Sequence, residues 1–486
     1  MEWTGVVLLV LVGAGIAGTG LPAAVVLITA ATLGALLGVA SGTIPPAVLS
    51  ALPGRLINLF ENDLLQALPL YVTMGLLLDR LPVADALYRA CNSLLPRSSG
   101  APLASGMVLG ALLGPMNGSV GASVLGLSRV MSPRLSADGV PAATRDAAVA
   151  VASTLGVLVP PSLVLILLSD AMLSAHTVAV TQTGRSDRVI NTQDIFHAAL
   201  LPAGICFVLC VVIAWIVGSR IKRSHSAASV NWQQGLLAGF SLAALLLLLG
   251  GVAAGYFYAV EAAAMGATAL LLAGFVSRRL TFPVLRSLLH DVMAITGALF
   301  FLLVAATTFT LVLRLLGIDH LVDNLVGGIP GGDAGAVAVV LAVVGMCAFV
   351  LDAFEIIFVI VPILIPPLLV RVADARWVSV LVLLTLQSSF LLPPFGYALM
   401  MVRGVLKEVV AFRSFVRALA PFLAAQWFLL LLVLFFPQLT HLGMSSDSSR
   451  LPSAPLSDEE FNRRLNEMIK LPELDLPNDD LNRPAK

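Results

Sequence analysis

Val151-Ala-Ser-Thr-Leu-Gly-Val-Leu-Val-Pro160-Pro161-Ser162 and Leu386-Gln-Ser-Ser-Phe-Leu-Leu-Pro393-Pro394-Phe-Gly396 decide the fold. Each is a small polar step inside an apolar segment, closed by a proline pair. They lie 393 − 160 = 233 residues apart. The same offset carries the polar break Asn117-Gly118-Ser119 onto Val350-Leu351-Asp352, the next polar break of the second half. A membrane chain made of two copies, each with a paired break at membrane depth, is the signature of a secondary transporter.

Composition agrees. The 486-residue chain is 58% hydrophobic and 12% charged, with a mean hydropathy of +0.98. A soluble protein of this size does not cover so much apolar surface. Runs such as Val6 to Val12, Leu236 to Leu249, Leu299 to Val304 and Trp427 to Phe436 predict many spans. At about 20 residues per span the expectation is roughly ten to twelve crossings plus shorter re-entrant pieces. Formal net charge is zero, so no strongly basic surface points to nucleic acid. The first apolar stretch opens on Glu2 instead of a basic region and runs into a second apolar segment after Gly18 to Pro22, unlike a cleavable leader. Cys91, Cys206, Cys210 and Cys347 form no CxxC pair and read as small buried residues.

Basic clusters set the orientation. Arg220-Ile-Lys222-Arg223 closes one span, and Arg278-Arg279 with Arg286 follows two spans later, so both lie on one side, the cytoplasmic one. The polar segment Leu173 to Gln193 then lies outside and reads as a loop insertion, with His176 an ordinary loop residue like His225. Residues 44–66 and 82–97 read as amphipathic helices along the interface, and 283–330 repeats that plan. The expected organisation is 1–100, N-terminal scaffold helices and an interfacial arm; 101–172, the first transport half, a hairpin and a broken helix; 173–195, the external loop; 196–330, scaffold helices and a second arm; 331–408, the second transport half; 409–441, a C-terminal arm and last membrane helix; and 442–486, a soluble, disordered tail with one short amphipathic helix near Asp458 to Lys470.

Proline donates no backbone N–H and clashes with the carbonyl four residues back. Pro160 and Pro161 therefore release the carbonyls of Gly156 and Val157, and Pro393 and Pro394 those of Ser389 and Phe390. At membrane depth these must meet water, protein donors or a cation. With the hydroxyls of Ser153, Thr154, Ser388 and Ser389 close in sequence, the oxygens suit a hard cation such as Na+. A plain proline kink accounts for one such motif; recurrence at matching positions favours a site. Gly114-Pro-Met-Asn117-Gly118-Ser119 has the turn chemistry of a hairpin tip. Its counterpart carries Asp352 and, three residues on, Glu355, a pair costly in an apolar run. Three roles stand for these carboxylates: cation ligand, proton carrier or ion-pair member. Short helices starting after Pro161 and Pro394 aim positive dipole ends inward and favour an anionic substrate. Glu261, at a span's start, reads as a helix-start carboxylate. No phosphate loop, HExxH or GxSxG occurs, so neither ATP nor hydrolase chemistry has a foothold and no enzyme is expected.

Four places resemble one family. They are Met116-Asn-Gly-Ser119; Ala152-Ser-Thr-Leu-Gly-Val-Leu-Val-Pro-Pro-Ser162; Gly250-Gly-Val-Ala-Ala-Gly-Tyr-Phe-Tyr-Ala-Val-Glu261; and Phe349-Val-Leu-Asp352 followed by Val361-Pro-Ile-Leu-Ile-Pro366 and Leu392-Pro-Pro-Phe-Gly396. With Asp194-Ile-Phe to Leu201-Pro202 they cover most of residues 1–440 and are similar to the large membrane subunit (DctM-type) of tripartite ATP-independent periplasmic (TRAP) transporters. The chain departs from that pattern at Asn117, where Ser is usual, at Ala348, where Gly is usual, and at Val260, where Thr is usual.

The resemblance implies an all-α polytopic membrane protein of two inverted repeats, with re-entrant hairpins, unwound helices and an elevator-type scaffold plus transport domain. It implies a bacterial inner-membrane permease for Na+-driven uptake of an organic acid. The implied partners are a small four-helix membrane subunit (DctQ-type) and a periplasmic substrate-binding protein (DctP-type), with no cofactor beyond Na+ as coupling ion. The implied Na+ positions are Asn117, Gly118, Ser119, Ser153, Thr154, Gly156 and Pro160 in one half, and Leu351, Asp352, Ser388, Ser389, Leu392 and Pro393 in the other. Candidate substrate contacts are Asn117, Ser119, Ser162, Asp352 and Gly396. The alternative is a self-sufficient elevator-type carrier or antiporter that needs no binding protein.

Overall fold

The computed structural model describes residues 2–95, 98–185, 188–221, 232–394, 396–406 and 410–441. The expected C-terminal tail, Lys222, Arg223 and His225 lie outside the described residues. Among those residues the structure is entirely helical. The first half contains α1 (Glu2–Thr19), α2 (Ala23–Ala40), α3 (Pro46–Leu49), α4 (Ala51–Phe60), α5 (Asp63–Arg80), α6 (Val83–Leu94), α7 (Ala101–Leu113), α8 (Val120–Ala137), α9 (Ala142–Leu155) and α10 (Leu163–Thr183). After α11 (Thr192–Ser219) the second half repeats the order. It runs α12 (Trp232–Ala253), α13 (Ala259–Val276), α14 (Phe282–Leu315), α15 (Ile318–Gly327), α16 (Gly332–Cys347), α17 (Ala353–Glu355), α18 (Val361–Arg371), α19 (Ala375–Ser389) and α20 (Tyr397–Val405), and α21 (Phe412–Phe435) closes it. The sequence offset survives in space: α8 and α17 start 353 − 120 = 233 residues apart, and α9 and α19 start 375 − 142 = 233 apart.

Eight of the described helices are long and apolar enough to cross a membrane, against the ten to twelve expected. The shortfall lies in α1, α7 and α16, which are apolar but shorter, and in α5 and α6, which bend by 67° at Leu81 and Pro82. The external loop expected at 173–195 is also overturned. α10 continues to Thr183, and the loop shrinks to the stretch before α11. Polar residues persist in this helix because Thr177, Thr181 and Thr183 donate to the carbonyls four residues back, at 2.8 Å each. His176 is not a loop residue but a buried member of α10 whose Nδ1 accepts from the Ile190 N–H at 3.4 Å. Cys206 and Cys210 are free and buried on α11, as the sequence indicates.

The two hairpins enter from opposite ends. α7 starts at the end where α11 finishes, since a Cβ on Gly218 would lie 2.7 Å from the Gly100 Cα. α18 finishes at the other end, where Arg185, just past α10, donates to the carbonyls of Leu369 and Val370 at 3.4 and 2.6 Å. The halves interlock. α10 packs on α18 of the second hairpin, while α20 packs on α8 and α9 of the first half. α2 with α14 and α5 with α13 form the surrounding layer. α11, expected among the scaffold helices, packs chiefly on α7, α19 and α21.

Prolines shape the second hairpin. Pro362 cannot donate to the Phe358 carbonyl, and the chain opens into a π turn over Ile356–Ile360. The Thr310 hydroxyl of α14 stands 3.2 Å from that carbonyl and shares its proton between it and the Ala306 carbonyl of its own helix, at 2.8 Å. Pro366 likewise cannot serve the Pro362 carbonyl, which accepts from Arg314 at 2.9 Å. Thr310→Val should lower stability by about 0.5–1.5 kcal/mol, one neutral hydrogen bond. Thermal melting of the purified protein in detergent measures this, with Thr310→Ser close to wild type as the control.

Candidate functional site at the two helix breaks

α9 ends at Leu155 because nothing past it can continue the ladder through Pro160 and Pro161. The carbonyls expected to be free are not free. Gly156 accepts from the Val159 N–H at 3.3 Å, and Val157 accepts from the Ser162 hydroxyl at 2.6 Å. In the second half Ser389 accepts from Leu392 N–H at 3.2 Å, and Phe390 from Ala398 N–H at 3.1 Å. Each break is therefore sewn by its own chain a few residues on. Every carbonyl keeps a second lone pair, so capacity for a cation remains.

The first tip meets the first break across a glycine pair. A Cβ on Gly114 would fall 2.6 Å from the Gly156 Cα, so the two backbones touch where any side chain would hold them apart. Beside this contact lies a hollow of about 10 Å³, the size of one water or ion, lined by Gly114, Gly118, Ser119, Ser123, Ser153, Val157 and Ser162 among others. Its hydroxyls are oriented. Ser123 donates to the Ser119 carbonyl at 3.2 Å, Ser153 to Val149 at 2.6 Å and Ser162 to Val157 at 2.6 Å. With their protons spent on carbonyls, these three groups offer lone pairs to the hollow, which suits a cation, while the fourth lining hydroxyl, Ser119, accepts from the Ala122 N–H at 3.1 Å. Asn117 donates through Nδ2 to Ser123 Oγ at 3.1 Å, and its buried Oδ1 has no partner among the described residues.

The second tip is acidic. Asp352 caps α17: its Oδ1 accepts from the Ala353 N–H at 2.8 Å, and Glu355 reaches back to the Asp352 N–H. Among the described residues no cation pairs with either carboxylate. Leu351, Asp352, Glu355, Ser389, Phe390 and Tyr397 line a cavity of about 250 Å³ whose wall also includes Ile16 and Ala23, at the turn between α1 and α2. Among the described residues no lysine, arginine or histidine lines it.

The structure thus gathers Gly118, Ser119, Ser153 and Ser162 at one break, and Leu351, Asp352 and Ser389 at the other. Asn117, Thr154, Gly156, Pro160, Ser388, Leu392, Pro393 and Gly396 are outside both linings. Thr154 instead accepts from Gln387 Nε2 at 2.9 Å, Ser388 donates to the Leu384 carbonyl at 2.9 Å, and Gly396 N–H closes the turn onto Leu392 at 2.8 Å. Three lining or linking residues escaped the sequence reading: Ser123, Tyr397 and Gln387. Ser123 stands one helical turn past Ser119, Tyr397 follows Gly396, and Gln387 is Thr154 displaced by the repeat offset (387 − 154 = 233). Glu261, as read from sequence, accepts from the Tyr258 N–H at 2.9 Å at the start of α13.

The tips differ in their surroundings. A Cβ on Gly75 of α5 would fall 2.6 Å from the Asn117 Cα, so the first tip is pressed on that helix. Val350 of the second tip instead faces α1, 3.9 Å from where a Cβ on Gly13 would be.

Comparison with known proteins agrees with this architecture. A "C4-dicarboxylate TRAP transporter large permease protein DctM" from Rhodobacter capsulatus is 22% identical over 393 residues, 79% of this chain and 88% of that protein. A "Sialic acid TRAP transporter permease protein SiaT" from Haemophilus influenzae is 23% identical over 400 residues, 81% of this chain and 61% of that protein. The crystal structure of the YdaH transporter of Alcanivorax borkumensis shares the fold at a TM-score of 0.56 and 13% identity, covering 80% of this chain and 87% of that one. The family model "Tripartite ATP-independent periplasmic transporter, DctM component" matches residues 6–439. The doubled breaks, the interlocked hairpins and this match along nearly the whole membrane region establish that the chain belongs to the DctM component family of tripartite ATP-independent periplasmic transporters.

Proposed function

We propose that this chain is the permease subunit of a Na+-coupled importer of an organic acid, working in a bacterial inner membrane with a small four-helix membrane subunit and a periplasmic substrate-binding protein. The observation that carries it is the hydroxyl-lined hollow at the first break, where three of the four lining serines, Ser123, Ser153 and Ser162, have given their protons to carbonyls. The two relatives are named for C4-dicarboxylate and sialic acid, both carboxylic acids, and an organic acid is taken as the cargo here. The second cavity supplies a reason for coupling. An anion entering it meets Asp352 and Glu355 with no basic side chain in the lining. Two like charges 4 Å apart repel by about 4 kcal/mol at an effective dielectric of 20. A cation bound at Asp352 offsets that repulsion, so cargo binds well only with its ion. The N-terminus of α20, at Tyr397 on the cavity wall, adds a positive dipole end.

Movement follows from the inverted repeat. The first tip rests on α5 at Gly75, while the second faces α1 and an open cavity. In the opposite state the halves exchange environments. Adding 233 to Gly75 and Asn117 places the second tip, at Val350, against Thr308 of α14.

Three outcomes test this reading. In proteoliposomes holding both membrane subunits and the binding protein, a Na+ gradient should drive uptake; uptake that ignores Na+ and follows ATP overturns it. Asp352→Asn should weaken Na+ dependence about 10- to 100-fold, the loss of one charged ligand at about 1.5–3 kcal/mol. A Thr308→Cys/Val350→Cys pair should form a disulfide only when Na+ and cargo permit transport, and the joined protein should stop transporting. Cross-linking at an equal rate without Na+ and cargo removes the exchange of environments.

A further inference from the structure

We propose that Gln387 is a positioning residue that couples the two breaks, so that a cation at one raises affinity at the other. The side chain is completely buried at the end of α19. Its Nε2 donates to Thr154 Oγ1 at 2.9 Å, and Thr154 gives its own proton to the Val151 carbonyl at 2.9 Å. Thr154 can therefore only accept from the amide, which fixes which end of Gln387 faces it. The bond joins equivalent positions of the two repeats, and so lies where α9 and α19 meet across the pseudo-twofold. On one side it touches the neighbour of Ser153, which lines the first hollow. On the other it stands two residues before Ser389, which lines the second cavity.

The remaining atom of the amide argues for a role beyond stability. Gln387 Oε1 has no hydrogen-bond partner among the described residues. An unpartnered acceptor in a completely buried position opposes folding, and an apolar residue of the same length avoids it. The amide is thus a poor choice for packing and a good one for tying the helix ends together. When an ion draws in the oxygens around Ser153, the end of α9 shifts, and the bond carries that shift to the end of α19.

The inference rests on the reading of the two breaks as cation sites, and the test separates the two. Melting of the purified full-length protein in detergent is followed against Na+ concentration, with K+ or choline holding ionic strength constant. Wild type should be stabilised by Na+ with a Hill coefficient of about 2, and Gln387→Met with one of about 1, the values for two coupled and two independent sites. Without Na+ the variant should melt at or above the wild-type temperature. If wild type shows no Na+-specific stabilisation, the cation-site reading fails. If wild type is cooperative and Gln387→Met is equally so, only the coupling role fails. A variant that melts lower without Na+ yet keeps its Hill coefficient marks the bond as structural and also overturns the coupling. Should Gln387→Met not fold, Thr154→Val removes the same bond from the other helix, and the same loss of cooperativity is required of it.

Discussion

A carbonyl inside lipid has no water to turn to, and that constraint governs every interruption of this chain. Four prolines at the two breaks deprive four carbonyls of their helical donors, and all four are served again within the same stretch. Two more prolines in the second hairpin do the same, but there the donors, Thr310 and Arg314, come from a different helix. The distinction has mechanical content. A break whose carbonyls are answered by its own next few residues can travel without exposing them. A break answered by α14 holds the hairpin to that helix in the arrangement seen here.

The halves share a plan and differ in chemistry. The first tip carries a neutral amide, Asn117, against serine hydroxyls and leaves about 10 Å³. The second carries Asp352 and Glu355 and opens into about 250 Å³. The first is a small neutral oxygen cage with room for one small particle, and the second a pair of carboxyl groups facing a larger space.

Much of this was legible in the sequence. The offset of 233 predicted the matching starts of α8 and α17 and of α9 and α19, because inserted or deleted residues have not accumulated between the breaks. The hairpin tips and both breaks were marked by Gly, Pro and small polar residues, whose backbone effects are local. What stayed hidden was non-local or masked by composition. The stretch Leu173 to Thr183 looked like a loop because its threonines are polar, yet back-bonding to carbonyls lets them stay helical. The supposedly free carbonyls were misjudged because their donors, a serine hydroxyl and backbone N–H groups past the turn, depend on how the chain folds back. Thr154 was read as a site residue from its place in a motif; its hydroxyl is in fact engaged by Gln387, a residue visible only once the repeat offset is applied to it.

Interlocking decides what can move as one. α10, which follows the first break, packs on α18 of the second hairpin, and α20, which follows the second break, packs on α8 and α9 of the first half. Displacing either hairpin alone tears a buried apolar contact with the other half, and close-packed interiors do not deform by small continuous amounts. The pair as a whole keeps rim contacts with α6, α14 and α15, and with α5 and α1 at the two tips. Those rim contacts are unequal, one tip pressed on α5 and the other beside a cavity. The inequality belongs to the repeat itself: the same element of the fold is close-packed at its tip in one half, where Asn117 meets Gly75, and opens beside a cavity in the other, at Leu351 and Asp352.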